Sequence, residues 1–203
     1  DTSARADVIA SAAGIVSAAR DGVPDRLVRS EADRAAIQDR ECGNGVLINH
    51  GDGWETQYCH LRQGSLAVKA GDRVTGGVKL GEVGYSGMAA FPHVHLSVRK
   101  DGKWIDPFNS MAGACGQANN PLWTDDALAI LAYRPGDIIG FGFSPGAADL
   151  AHLEGGKIAN LRPTGDWPAI VAYLWAINLS DGDEVTVWLA GPEDISARNT
   201  VVL

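Results

Sequence analysis

No stretch of this 203-residue sequence approaches the roughly 18 to 20 apolar residues that a membrane-crossing helix needs, so no transmembrane segment is expected. Positive charge is also in deficit. Lys and Arg number 17 against 25 Asp and Glu, for a net charge of −8. Phosphate recognition needs clustered Lys and Arg, and this balance excludes nucleic acid as a partner. Cysteine is scarce: Cys42, Cys59 and Cys115 are the three, and an odd count leaves at least one unpaired or joined to a partner elsewhere. The opening Asp1-Thr2-Ser3-Ala4-Arg5 has neither the basic start nor the apolar run of a secretory signal, and it reads as the start of a processed or truncated product.

What is present is ordinary for a soluble globular protein, with 45% hydrophobic and 21% charged residues. The length suits one large domain or two small ones. The 25 glycines are spread along the chain beside turn partners, as in Asp21-Gly22, Asp52-Gly53, Gly71-Asp72, Asp101-Gly102, Pro135-Gly136 and Asp181-Gly182. Short runs rich in Val, Ile, Leu, Trp and Tyr lie between these turns, and that punctuation predicts an all-β chain. The run from Val8 to Ala19 is open to a helix or to a strand after a turn at Gly14. Residues 26–40 are polar and read as a surface excursion. Strands are expected at Gly45–Asn49, Glu55–Leu61, Ser65–Val68, Lys79–Tyr85 and His93–Arg99. Small, aperiodic residues make 111–120 a linker between a first domain over 1–110 and a second over 121–203. In the second, strands are expected at Ala127–Tyr133, Asp137–Phe143, Ala169–Asn178 and Glu184–Leu189, which suggests a small β-sandwich. Trp123, Trp167, Trp175 and Trp188 alternate with Val, Leu and Ala there, as core residues would, although aromatic faces can also stack on sugars.

The sharpest local pattern is Pro92-His93-Val94-His95. Residues i and i+2 of a strand share a face, so two imidazoles project together and can bind a metal or divide ligation from proton transfer; two ordinary half-exposed histidines would look the same. His60 closes another strand, in Tyr58-Cys59-His60-Leu61. Cys42 and Cys59 stand 17 residues apart in strand-like sequence, either as a disulfide, which would place the protein outside the cytoplasm, or as two buried thiols. His50 sits at a turn and reads as a turn or surface residue, His152 as structural, and Asp106, in Asp106-Pro107-Phe108, as a maker of turn hydrogen bonds.

The order Gly43-Asn44-Gly45-Val46, Tyr58-x-His60-Leu61, Val68-x-x-Gly71-Asp72-x-Val74, Gly81-x-x-Gly84-x-Ser86-Gly87 and Pro92-His93-x-His95 resembles the lysostaphin/LytM-type zinc metallopeptidases. The resemblance runs from about Val8 to Phe108, about half the chain. It implies an antiparallel β-sheet peptidase domain that cleaves peptide bonds in peptidoglycan, here followed by the β-sandwich. Zinc in that family is held by an early His-x-x-x-Asp pair and the second His of His-x-His, which is His95 here. His93 then matches the catalytic histidine beside the metal, and His60 the other catalytic histidine, which orients or stabilises the oxyanion. The Cys-Gly-Asn and Tyr-Cys-His-Leu variant resembles a bacterial subgroup in which these cysteines pair, implying a Cys42–Cys59 disulfide and a periplasmic or secreted protein. No His-x-x-x-Asp occurs in the sequence. Asp1 is a candidate ligand; otherwise both ligands lie upstream, or the chain is an inactive relative that binds and activates other cell-wall hydrolases. The expected partner is a peptidoglycan peptide, and the expected state is a monomer.

Overall fold

A computed structural model describes residues 5–110, 120–131, 136–154, 161–192 and 196–203. These divide into two compact units, one formed by 5–110 with 120–123 and one by the described residues from 124 onward. Asp1, Cys115 and most of the expected linker lie outside the described residues.

In the first unit the elements are β1 (Asp7–Ile9), β2 (Gly14–Arg20), α1 (Glu31–Ala36), β3 (Asn44–Gly51), β4 (Trp54–Leu61), β5 (Arg73–Val74), β6 (Lys79–Glu82), β7 (His95–Lys100) and β8 (Lys103–Ile105). Six of the strands form one antiparallel sheet in the order β5-β2-β3-β4-β7-β8, and β1 pairs with β6 as a separate ribbon. The open run from Val8 to Ala19 is therefore two strands. Alternation points Val16, Val46, Ile48 and Tyr58 inward, where they meet Val8 and Leu80 from the ribbon and Leu61. Ile48, Leu61 and Leu80 are fully buried, each worth about 1.5–3 kcal/mol by transfer from water. The opposite face of the sheet, carrying Asn49, Glu55, Gln57 and His95, is partly or fully exposed.

The expected surface excursion contains α1. Ser30 caps it, its hydroxyl accepting from the Asp33 N–H while the Asp33 carboxylate accepts from the Ser30 hydroxyl. The Ser30 hydroxyl and the Arg29 N–H, both donating to it, hold the Asp33 carboxyl below its ordinary pKa. Two expected strands fail. Ser65–Val68 is irregular, because the Ser65 hydroxyl is spent on the Arg62 carbonyl and the Glu82 N–H and the segment makes one ladder-like bond, Ala67 N–H to Leu80 O. Ala127–Tyr133 gives way to a helix, α2 (Asp125–Ile130), with Thr124 as its cap. Asp125 and Asp126 in the first turn and a run of Ala and Leu favour helix over strand; residues 132 and 133 lie outside the described residues.

The second unit continues with β9 (Asp137–Ser144), α3 (Leu150–Glu154), β10 (Val171–Ile177), β11 (Glu184–Ala190) and β12 (Ser196–Val202). β9 pairs with β10 and β11 with β12, giving two antiparallel ribbons. The molecule is thus largely β rather than wholly so, with three short helices among the described residues. Trp188 is 71% exposed, which corrects its expected place in a core. Its position in β11 alternates with half-buried Val187 and Leu189, so it takes the opposite face. No described helix is long and apolar enough to cross a membrane.

Candidate active site

Three of the chain's histidines converge at the ends of β4 and β7. The His60 and His93 ring centroids are 4.7 Å apart, and those of His60 and His95 6.0 Å. Each arrives by a different route. β7 begins at His95, which pairs with Cys59 across the ladder. His93 lies just before the strand, held by a single bridge to Gly84. His60, the last residue but one of β4, has a left-handed conformation, φ 63°, that non-glycine residues rarely adopt and that costs about 1–3 kcal/mol. That twist breaks the strand's alternation, so Cys59, His60 and Leu61 are buried in succession.

Backbone bonds over-determine the strained residue. The His60 N–H donates to Cys42 O at 2.8 Å, and the His60 carbonyl accepts from Gly84 N–H at 3.0 Å. The Gly84 carbonyl in turn accepts from His93 N–H at 3.2 Å, which ties the two histidines through one residue. A Cβ on Gly84 would lie 2.4 Å from the Arg62 nitrogen, so glycine is required for this approach. Cys42 and Cys59 are joined as a disulfide beside the His60–Cys42 hydrogen bond. Replacing both by Ser is expected to lower stability by about 3 kcal/mol, since the bond closes a loop of 17 residues in the unfolded chain. Chemical denaturation of the oxidised protein against the double variant reads this; equal stability would show that the cross-link constrains nothing.

The side chains divide the three histidines into two kinds. His60 Nδ1 lies 2.9 Å from Ser86 O, and His93 Nδ1 lies 2.8 Å from Phe91 O. A carbonyl can only accept, so in the neutral rings Nδ1 carries the proton and Nε2 presents a lone pair. Burial pushes the pKa of His60 below the ordinary histidine value; the Ser86 carbonyl works in the other direction, and His93 and His95 add to the depression. His60 is therefore neutral near pH 7. His95 is exposed, and among the described residues no protein group hydrogen-bonds its ring nitrogens.

Ser86 and Asn44, inside motifs quoted for their glycines, anchor this arrangement without having been singled out. Ser86 is fully buried, its hydroxyl donating to Leu61 O at 2.7 Å and accepting from Asn44 N–H at 2.9 Å. The Asn44 side chain accepts from Val23 N–H and donates to Val23 O and Leu61 O. Polar residues after a glycine turn read as surface, which hid both.

The remaining histidines are engaged elsewhere. His50 is half-buried, its Nδ1 bonded to Ala13 O and its Nε2 to the Thr56 hydroxyl, each at 2.7 Å. His152 pairs with Asp149 in the second unit. Asp106 makes the expected turn, its carboxylate accepting from Phe108 N–H. Among the described residues no group of three or more His, Cys, Asp or Glu could hold a metal ion. The three clustered histidines are thus not themselves a ligand set. His95, with both nitrogens open, has the donor chemistry for one zinc position.

Peptidase family M23 matches residues 1–107, more than half of the chain. The chain belongs to peptidase family M23. This M23 chain is 38% identical over 97 residues to the DD-carboxypeptidase/endopeptidase Mpg of Neisseria meningitidis serogroup B, covering 46% of this chain and 21% of that protein. It is 44% identical over 57 residues to the cell division protein DipM of Caulobacter vibrioides, covering 28% and 9%. With the peptidoglycan DD-endopeptidase ShyA of Vibrio cholerae it shares 35% over 80 residues, covering 39% and 16%. The chain thus matches about a fifth or less of the length of these relatives. Among solved structures, a mutant of the catalytic domain of the prophage-encoded M23 protein EnpA from Enterococcus faecalis is 25% identical, with a TM-score of 0.38, covering 50% of this chain and 66% of that one.

Proposed function

We propose that this chain is part of a zinc-dependent endopeptidase that hydrolyses peptide bonds in peptidoglycan. The observation that carries the reading is the unequal treatment of the three histidines: His60 and His93 are tied through Nδ1 and present Nε2 lone pairs, while His95 is open. Family membership supports it, as do the names of the relatives.

In this reading His95 is one zinc ligand, and the other donors come from outside the described residues. When bound, zinc supplies a Lewis acid and makes water acidic enough to ionise near neutral pH. His93, its Nδ1–H fixed on Phe91, takes a proton at Nε2 and passes it to the leaving amine. His60 stands beside it in a buried setting. Its Nδ1–H is committed to Ser86, so it can donate to a developing oxyanion only after a second proton reaches Nε2; neutral, it orients by accepting. Work outside the cytoplasm, in the periplasm or after secretion, fits the disulfide. The two ribbons of the second unit are read as a small β-sandwich, and the protein as a monomer.

The test is incubation of the full-length, zinc-loaded protein with purified sacculi, with products read by mass spectrometry. New amine and carboxyl ends within the peptides are expected, and chelation should abolish them. Binding to sacculi with no peptide cleavage would sink the enzyme reading in favour of an inactive relative.

A further inference from the structure

The face of the sheet turned away from the core carries a second group of residues that proton transfer and zinc ligation leave unused. Strand alternation sets His95, Ser97 and Arg99 on one face of β7. Directly opposite them across the ladders stand Cys59, Gln57 and Glu55 of β4, with Trp104 of β8 opposite Arg99. The Arg99 guanidinium carbon lies 4.1 Å over the Trp104 ring, and its Nη2 donates to Gln57 Oε1 at 2.7 Å. Trp104 is 67% exposed, so the stacked pair can be reached from solvent. No ion pair joins Arg99 to Glu55, although the two are cross-strand neighbours on the same face.

A guanidinium has five donors in a rigid fork. Here the plane is fixed by the indole and one donor by the glutamine, and among the described residues no carboxylate fills the rest of the fork. Such a group is pre-organised for a carboxylate, because the ordering cost of a long side chain has already been met within the fold. The chain as a whole is negative, so long-range attraction does not bring an anion to this face, and recognition there must be local. Four residues along a strand is about 13 Å, so the fork lies about four extended residues from His95.

We propose that Arg99, stacked on Trp104 and held by Gln57, is a specificity-determining residue that receives a free carboxylate of the peptide lying along this face. The inference rests on the peptidase reading above for the identity of the peptide.

The experiment uses the full-length protein and two probes: a stem tetrapeptide with free carboxylates, and the same peptide with those carboxylates converted to carboxamides. Calorimetry reads binding, and hydrolysis of cross-linked muropeptides in acid and amidated forms is measured in parallel. The native protein is expected to bind the acid about tenfold more tightly than the amide, as a charge-assisted hydrogen-bonded pair would give. Arg99→Gln should erase the preference by weakening the acid alone, and Arg99→Lys should keep part of it. Trp104→Ala and Gln57→Ala, which loosen the fork without removing it, should give an intermediate loss and guard against a misfolded Arg99 variant. Three outcomes would overturn the proposal: no acid preference in the native protein, an acid preference that survives Arg99→Gln, or equal weakening of acid and amide, which marks a surface pair that only stabilises β7 against β8. An acid preference lost in Arg99→Gln with no hydrolysis by the native protein would keep the carboxylate site and remove the peptidase reading.

Discussion

His95→Ala is expected to strip zinc from the full-length protein and lower the hydrolysis of cross-linked muropeptides by more than about a hundredfold, while leaving the fold intact. Loss of groups that merely support a metal ligand already costs about 10–100-fold in affinity or activity, and loss of a ligand costs more. The fold is spared because His95 is exposed and its ring makes no hydrogen bond within the described residues. Exposed substitutions of that kind stay within about 0.5 kcal/mol. His93→Ala supplies the contrast. It should hold zinc as the native protein does and lose about 10²–10⁴ in rate, the usual contribution of a general acid–base group. Zinc content by elemental analysis beside a rate for each variant separates the two roles. Equal zinc in His95→Ala and native protein at one site would remove His95 from the ligand set. Loss of zinc in His93→Ala alone would reverse the assignments.

The two histidines differ because of what lies N-terminal to each. Phe91 and Pro92 turn the chain so that the Phe91 carbonyl meets His93 Nδ1, and the Phe91 ring lies 4.9 Å from the imidazole. His95, two residues on, is already in the β7 ladder, and its backbone rather than its ring is engaged. A spacing of two residues thus yields one oriented ring and one open ring.

Much of this was legible in the sequence. Turn residues flanking runs rich in Val, Ile, Leu, Trp and Tyr gave β3, β4 and β7 to within two residues, because each strand is bounded by a turn and carries a core-facing set of side chains. The histidine cluster was legible as an ordered series of motifs. What alternation could not supply is the departure from it at His60, whose left-handed backbone is imposed from outside the strand by Cys42 O, Gly84 N–H and the Ser86 carbonyl. The strand expected at Ala127–Tyr133 failed for the opposite reason: local signals at Thr124, Asp125 and Asp126 were present and favoured a helix. β12 was missed because Ser196–Val202 is exposed throughout, so no hydrophobic period marks it.

The second large effect is expected at a residue that touches no substrate. Asn44→Leu should destabilise the first unit by about 4 kcal/mol. Asn44 is fully buried, and its amide satisfies both backbone groups of Val23 as well as Leu61 O. Leu61 O keeps a second partner, the Ser86 hydroxyl, and so loses little. The N–H and C=O of half-buried Val23 have no such substitute in the bonds that hold them, and each polar group left unpaired away from water costs about 1–3 kcal/mol. Leucine is also larger than the space, which adds strain. Asn44→Ala avoids the strain and should cost about 3 kcal/mol, so the difference between the two variants separates packing from hydrogen bonding. Denaturant unfolding gives both values, and hydrogen exchange at Val23 locates the opening, because its amide should lose protection before those of β3 and β4. A loss below about 1 kcal/mol in both variants would mean that water replaces the amide and that residues 20–25 are held by other contacts. A large loss confined to this corner would mean that the strained His60 depends on a polar brace next to it in the ladder: Asn44 pairs with Leu61, the residue after His60, and the Ser86 hydroxyl bridges the two while the Ser86 carbonyl holds the ring.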